Sequence, residues 1–217
     1  MQRLLEEHRK AQDDSVLIGV TATPLDIGHL YDKLIIVGTK KELRKCGALV
    51  PCYTYGPDEP DVKWVGNVKV DGGECGIPQP KRLQYCKRVF GRVVANYRAL
   101  NPEERPALLF APGVKESIWL AKELNKCGVT AAHIDGESVY LDGQLQDSTT
   151  ELRQEIADRS QAGDIRVVCN RFVLREGIDW PWIYHGILAT VFGGLTSYLQ
   201  AVGRLLRNHD SLDSVIL

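Results

Sequence analysis

Three polar side chains near the carboxyl end, Gln200, Arg204 and Arg207, follow one another at steps of four and three residues. On a helix of 3.6 residues per turn they fall within about 60° of one another. Tyr198, Val202, Leu205 and Leu206 then take the opposite side. One face packs, and the other presents two guanidiniums and an amide. Guanidinium stays charged and forks onto oxygens, so two arginines on an anchored helix suit a phosphate chain. A solvated basic face is the competing reading. Ser197 followed by Gln200 has capping-box spacing, which predicts the helix start there.

Other residues could carry chemistry as well. The segment NRFVLREGIDWPW (170–182) follows an apolar run. In it Gly177 allows close backbone approach to a ligand, and Asp179 supplies a carboxylate. A structural loop whose Asp caps a turn fits equally well. Residues 81–99 hold Lys81, Arg82, Lys87, Arg88, Arg92 and Arg98 with no acidic residue. That patch suits a nucleic-acid backbone or a solvated face. Thr21 and Thr23 place hydroxyls at the end of an apolar run stopped by Pro24. The six cysteines lack CxxC spacing. They read as free thiols in a reducing cytoplasm rather than as a zinc site, so no metal ligand is assigned.

These residues need a scaffold, and the pattern describes one. From residue 107 onward apolar runs alternate with helical patterns. Strands are predicted at 107–111, 129–134, 165–169, 184–190 and 214–217, and helices at 114–126, 149–161 and 195–207. That alternation predicts an α/β fold, a parallel sheet flanked by helices. Ligand-contacting loops are expected at the carboxyl ends of its strands. Further strands are expected at 16–20 and 34–37, with helices over 2–12 and 81–99. A capping box at Thr39 and Glu42 opens a short helix stopped at Gly47. Residues 49–55 read as extended, and 56–80, rich in Pro and Gly, as a connection with a weak strand near 62–70. The chain of 217 residues is 44% hydrophobic and 25% charged with a formal charge of -1. This is globular composition without a global field for nucleic acid. No apolar run approaches the roughly 20 residues of a membrane span.

Four segments together resemble the superfamily 2 helicases and translocases. GVTATP (19–24) is similar to motif III, LLFAPGVKES (108–117) to motif IV, LREGIDWP (174–181) to motif V, and QAVGRLLR (200–207) to motif VI. Their order and spacing match those of DEAD/DEAH-box-like DNA helicases of bacteria and phages, C-terminal half. The resemblance implies a RecA-like sheet at 101–217. It implies a remnant of the first, ATP-binding helicase domain at 1–55, and a connecting segment with the basic helix at 56–100. It implies ATP and Mg2+ as cofactors, held mainly by that first domain. Arg207 would be the arginine finger and Arg204 a second phosphate-facing group. Gln200, Gly177 and Asp179 would lie near the nucleotide. Pro112, Gly113 and Asn170, with Arg88 and Arg92, would lie along nucleic acid. Thr21 and Thr23 would couple hydrolysis to strand movement.

The sequence has no GxxxxGK[ST] and no DEA[DH] segment. The expectation is therefore the C-terminal part of an ATP-dependent DNA helicase or translocase, inactive alone. It would be cytoplasmic, without a membrane partner, and completed in cis or in trans. RNA in place of DNA is open at this point. The alternative is a nucleic-acid-binding or regulatory module that keeps the fold without catalysis. The segment 137–153 is longer than the usual connection and is expected to be a subgroup-specific loop.

Overall fold

The computed structural model describes residues 7, 10, 18–21, 28–29, 31–56, 68–69, 75–171, 180–207 and 212–217. Its centre is set by three runs of four buried residues. These are β4 (Ala107–Phe110), β5 (Ala131–Ile134) and β8 (Val167–Asn170). Side chains alternate across a strand, so a run buried throughout needs cover on both sides. Ala107, Leu109, Ala131, Val167 and Cys169 face α2 (Gln79–Leu100) and α3 (Val114–Lys126). Leu108, Phe110, Ala132, Ile134 and Val168 face α4 (Thr150–Ala162) and α5 (Leu195–Leu205).

Five further strands extend this centre: β1 (Cys52–Tyr53), β6 (Ser138–Leu141), β7 (Gln144–Asp147), β9 (His185–Leu188) and β10 (Val215–Ile216). The eight lie in the order β1-β10-β9-β4-β8-β5-β6-β7. Register is shared across the middle: Phe110 stands opposite both Asn170 and Leu188. The run from β1 to β5 in that order is parallel, and β6 and β7 are antiparallel. The sheet is therefore mixed rather than purely parallel. The expected loop at 137–153 is a hairpin for most of its length. Asp142 (φ 48) and Gly143 (φ 86) form its two-residue turn, a geometry that matches strand twist. A separate antiparallel pair joins β2 (Val68–Lys69) to β3 (Cys75–Gly76).

Local signals account for the helix ends. Thr39 and Glu42 make both halves of the capping box of α1 (Lys40–Lys45). Thr149 accepts from the Leu152 N–H, and Gly163 closes α4 in the left-handed region at φ 85. Elsewhere the structure corrects the expectations. α5 begins at Leu195 with Gly194 as N-cap, and Ser197 is buried inside its first turn instead of capping it. On α2 periodicity predicts a buried stripe of Leu83, Cys86, Phe90, Val93 and Tyr97, but Leu83 is 39% exposed and Tyr85 is buried instead. Residues 34–37 form no strand, and Leu34, Ile35, Ile36 and Val37 are exposed. Ile18 and Val20 are likewise exposed and unpaired with any strand. A strand exists only where a neighbour meets its N–H and C=O groups, and among the described residues none lies beside these runs. Of the helix expected over 2–12, Glu7 and Lys10 are helical and the rest lies outside the described residues, as do 16–17, 62–67 and 70.

His185 of β9 lies 4% exposed, stacked on the buried Tyr97 ring at 5.8 Å. Burial pushes its imidazole pKa down to about 4 and holds the ring neutral. An unfolded chain binds that proton near pH 6.5, so between about pH 6.5 and 4 the unfolded state carries more protons. Stability present above pH 6.5 is therefore lost as pH falls. Urea melts at pH 7.0, 5.5 and 4.5 should show the midpoint falling, and His185→Phe should flatten that fall.

Candidate functional site

The arginines sit where chain direction puts them. β9 and β10 are parallel neighbours, so α5 between them must run back from the carboxyl edge of the sheet to the amino edge. Its last turn, with Arg204, lies at the amino edge. α5 lies close to β9 because of Gly186, where any Cβ would overlap the side chains of Leu205 and Leu217. Ala201, Val202 and Leu205 are buried beneath the helix. Gln200 is exposed and Arg204 half-buried one turn further on. A cation in the last turn also complements the helix dipole. Arg207 departs from the expected helical face. The helix ends at Leu205, Leu206 is the C-cap, and Arg207 stands half-buried one residue beyond. There its backbone forms an antiparallel bridge with Leu49. The arginines thus stay adjacent, but a cap and a bridge hold the second one.

A second group gathers at the opposite edge. Pro112 and Gly113 follow β4, Asn170 ends β8, and the pairing of Phe110 with Asn170 brings them side by side. All three are buried. The Asn170 amide donates to the Leu109 carbonyl at 3.0 Å, and its Oδ1 is buried with no hydrogen-bond partner among the described residues. Gly113 is the N-cap of α3, and the Glu116 carboxylate occupies the space its Cβ would need. The Arg82 side chain of α2 borders the same space. At the far end Arg98 of α2 donates to the Cys127 carbonyl, the C-cap of α3, at 2.7 Å. α2 therefore runs parallel to α3, with Tyr85, Cys86 and Tyr97 buried and Lys81, Lys87, Arg88 and Arg92 exposed. The basic face starts at the carboxyl edge and extends along one side of the molecule. Thr21 is exposed, while Gly177, Asp179 and Thr23 lie outside the described residues.

Residues 90–209, more than half of the chain, match the helicase conserved C-terminal domain family. The chain belongs to that family. The resemblance to superfamily 2 helicases read from the sequence motifs agrees with this membership. A 51.5 kDa protein of a Lactococcus phage is 28% identical over 205 residues, covering 92% of this chain and 42% of the phage protein. The chain thus spans well under half the length of that relative. Among solved structures, the E. coli DEAD-box protein SrmB bound to regulator of ribonuclease activity A is 19% identical, with a TM-score of 0.47 over 62% of this chain and 69% of that one. The Pyrococcus furiosus Hef helicase domain is 16% identical, with a TM-score of 0.42 over 61% of this chain and 26% of that one.

One polar cluster of this helicase C-terminal domain was not foreseen. Ser117 of α3, His133 of β5 and Asp135 form a buried chain, with Ser117 Oγ 2.7 Å from His133 Nδ1 and His133 Nε2 3.1 Å from Asp135 Oδ2. Burial lowers the His133 pKa despite Asp135 beside it, so the ring is neutral. Burial raises the Asp135 pKa, but N–H bonds from Glu137 and Ser138 and the Ser138 hydroxyl outweigh it and keep the carboxylate ionised. An ionised carboxylate only accepts, so Nε2 carries the proton and Nδ1 accepts from Ser117. The order is that of a hydrolase triad, yet Ser117 and His133 are both 0% exposed. No substrate reaches the hydroxyl, and the cluster bolts α3 to β5 and the hairpin. Nothing in the spacing of a helix Ser and a strand His advertises this contact. Ser117→Ala leaves Nδ1 buried without a donor and should cost about 1–3 kcal/mol in denaturant melts.

Proposed function

We propose that this domain is the second half of an ATP-driven nucleic-acid helicase or translocase. In this reading Arg207 and Arg204 meet the triphosphate of ATP gripped by a separate ATP-binding domain, supplied in cis or in trans. The observation that carries it is the anchoring of the backbone that bears the two arginines, at Arg204 by a helix packed against Gly186 and at Arg207 by the bridge to Leu49. Phosphoryl transfer spreads negative charge over equatorial oxygens, and a cation already in place stabilises that charge without reorganising. The residues fit such a role: both arginines are half-buried, and Gln200 is exposed beside them. ATP supplies the transferable phosphoryl group. Gly177 and Asp179 are proposed beside the nucleotide on motif resemblance. Among the described residues no group of three or more His, Cys, Asp or Glu is arranged to hold a metal ion, and in this reading Mg2+ is held mainly by the separate ATP-binding domain.

The nucleic-acid surface in this reading is the carboxyl edge, where the buried Pro112, Gly113 and Asn170 shape the loops, continued by the exposed Arg88 and Arg92 on α2. Its support is the continuity of that edge with an exposed basic face free of acidic residues. The strand could be DNA or RNA. Thr21 and Thr23 are proposed to couple the two surfaces on resemblance alone. Among the described residues no helix is long and apolar enough to cross a membrane, and a cytoplasmic setting is proposed.

Two measurements test this. With the ATP-binding half supplied, nucleic-acid-stimulated ATPase should appear, and the 217-residue chain alone should show none above background. Arg207→Ala should then lower turnover by roughly 10³-fold or more, and Arg207→Lys should not restore it. Unchanged turnover in Arg207→Ala would refute the arginine role. Separately, Arg88→Gln with Arg92→Gln should weaken binding to DNA and to RNA irrespective of sequence. The slope of log K against log salt should fall by about 1–2 in magnitude, measured by fluorescence anisotropy.

A further inference from the structure

We infer that the strap at residues 49–55 positions Arg207, with Leu49 as the residue that aims it; this rests on the nucleotide reading above. The segment was expected to be extended and to belong to a remnant of the first helicase domain at 1–55. In the structure it is zipped along the far edge of the sheet. The Val50 N–H donates to the Leu206 carbonyl at 3.0 Å, the Val215 N–H to the Pro51 carbonyl at 2.9 Å, and the Tyr55 N–H to the Leu217 carbonyl at 2.7 Å. Val50 is 5% exposed and packs with Leu206, Leu212 and Val215. On its other side the Leu49 N–H donates to the Leu43 carbonyl of α1 at 3.2 Å. The strap is thereby fixed between α1 and the turn that carries Arg207.

The register of the bridge does the aiming. Leu49 and Arg207 are antiparallel partners, and the bond from Val50 to Leu206 lies beside them rather than between them. They are therefore a non-hydrogen-bonded pair, the kind whose side chains stand closest, with Cβ atoms about 5 Å apart. The half-buried Leu49 beside the arginine stem brings an apolar side chain and no charge of its own. A carboxylate at the same place would capture the guanidinium and take it from a phosphate. The edge strap thus holds the turn that carries the arginine, and pulling on the strap would disturb that turn.

The test compares Leu49→Glu, Leu49→Gln and Arg207→Ala in the 217-residue chain completed with the ATP-binding half. Leu49→Glu should lower kcat for ATP by at least about tenfold at low salt with little change in KM, and added salt should restore part of it. Leu49→Gln, whose amide oxygen accepts more weakly than a carboxylate, should lower kcat less than Leu49→Glu and show no rescue by salt. If Arg207→Ala abolishes turnover while Leu49→Glu leaves it intact, the strap does not aim Arg207. If Arg207→Ala turns over normally, the nucleotide reading itself fails. Hydrogen exchange on the chain alone separates the two. Val50→Pro removes the donor to Leu206 and should speed exchange at residues 205–207 by at least about tenfold while β4 and β8 keep their protection. Unchanged exchange at 205–207 would overturn the strap.

Discussion

The structure depends on burial of its central strands from both sides. β4, β5 and β8 carry no residue that can face water, so each face of the sheet must be roofed by helices. That requirement assigns α2 and α3 to one face and α4 and α5 to the other. It also sorts the polar residues. The basic residues of α2 are confined to the first side, and the arginines at the end of α5 and just past it to the second. Parallel pairing then fixes the ends: a loop leaving a strand lies at the carboxyl edge, and the last turn of a return helix lies at the amino edge. Pro112, Gly113 and Asn170 belong to the first kind, Arg204 and Arg207 to the second.

Much of this is legible in the sequence because it stems from patterns with local physics. The runs at 107–111 and 165–169 could only be buried strands. Thr39, Thr149, Gly128 and Gly163 punctuate helices with residues whose side chains or positive φ make the caps. The hairpin at β6 and β7 was legible too, since Asp142-Gly143 between Leu141 and Gln144-Leu145 is a strong turn signal. The apolar run 34–37 shows the limit of pattern. Its composition is that of a strand, yet a strand is a property of two segments, and no partner strand is described beside it.

The site was legible in kind and less so in geometry. Helical periodicity put Gln200 and Arg204 on one face correctly, because they fall within α5. It failed at Arg207, since the periodic pattern continues past the point where the helix stops. What ends the helix is tertiary: Leu206 and Arg207 are drawn into backbone pairing with residues 49–50, more than 150 positions earlier. The Ser117–His133–Asp135 chain escaped for the same reason. A hydrogen bond between a helix and a strand 16 residues apart leaves no mark on the spacing of either.

The opposition of the two edges bears on how such a domain could work. The carboxyl-edge group and the arginine turn are joined by strands whose side chains are locked on both faces, and close-packed interiors transmit displacement instead of absorbing it. A push at one edge therefore moves the other as part of one body. No chain of individual contacts across the core is needed for the two surfaces to be coupled. The place where relative motion can enter is instead the margin, where β10 meets β1 over two residue pairs and β9 over one, against four for β4 with β8. Those short ladders are the weakest lateral pairings in the parallel run, and the strap that reaches Arg207 is carried on the outer one.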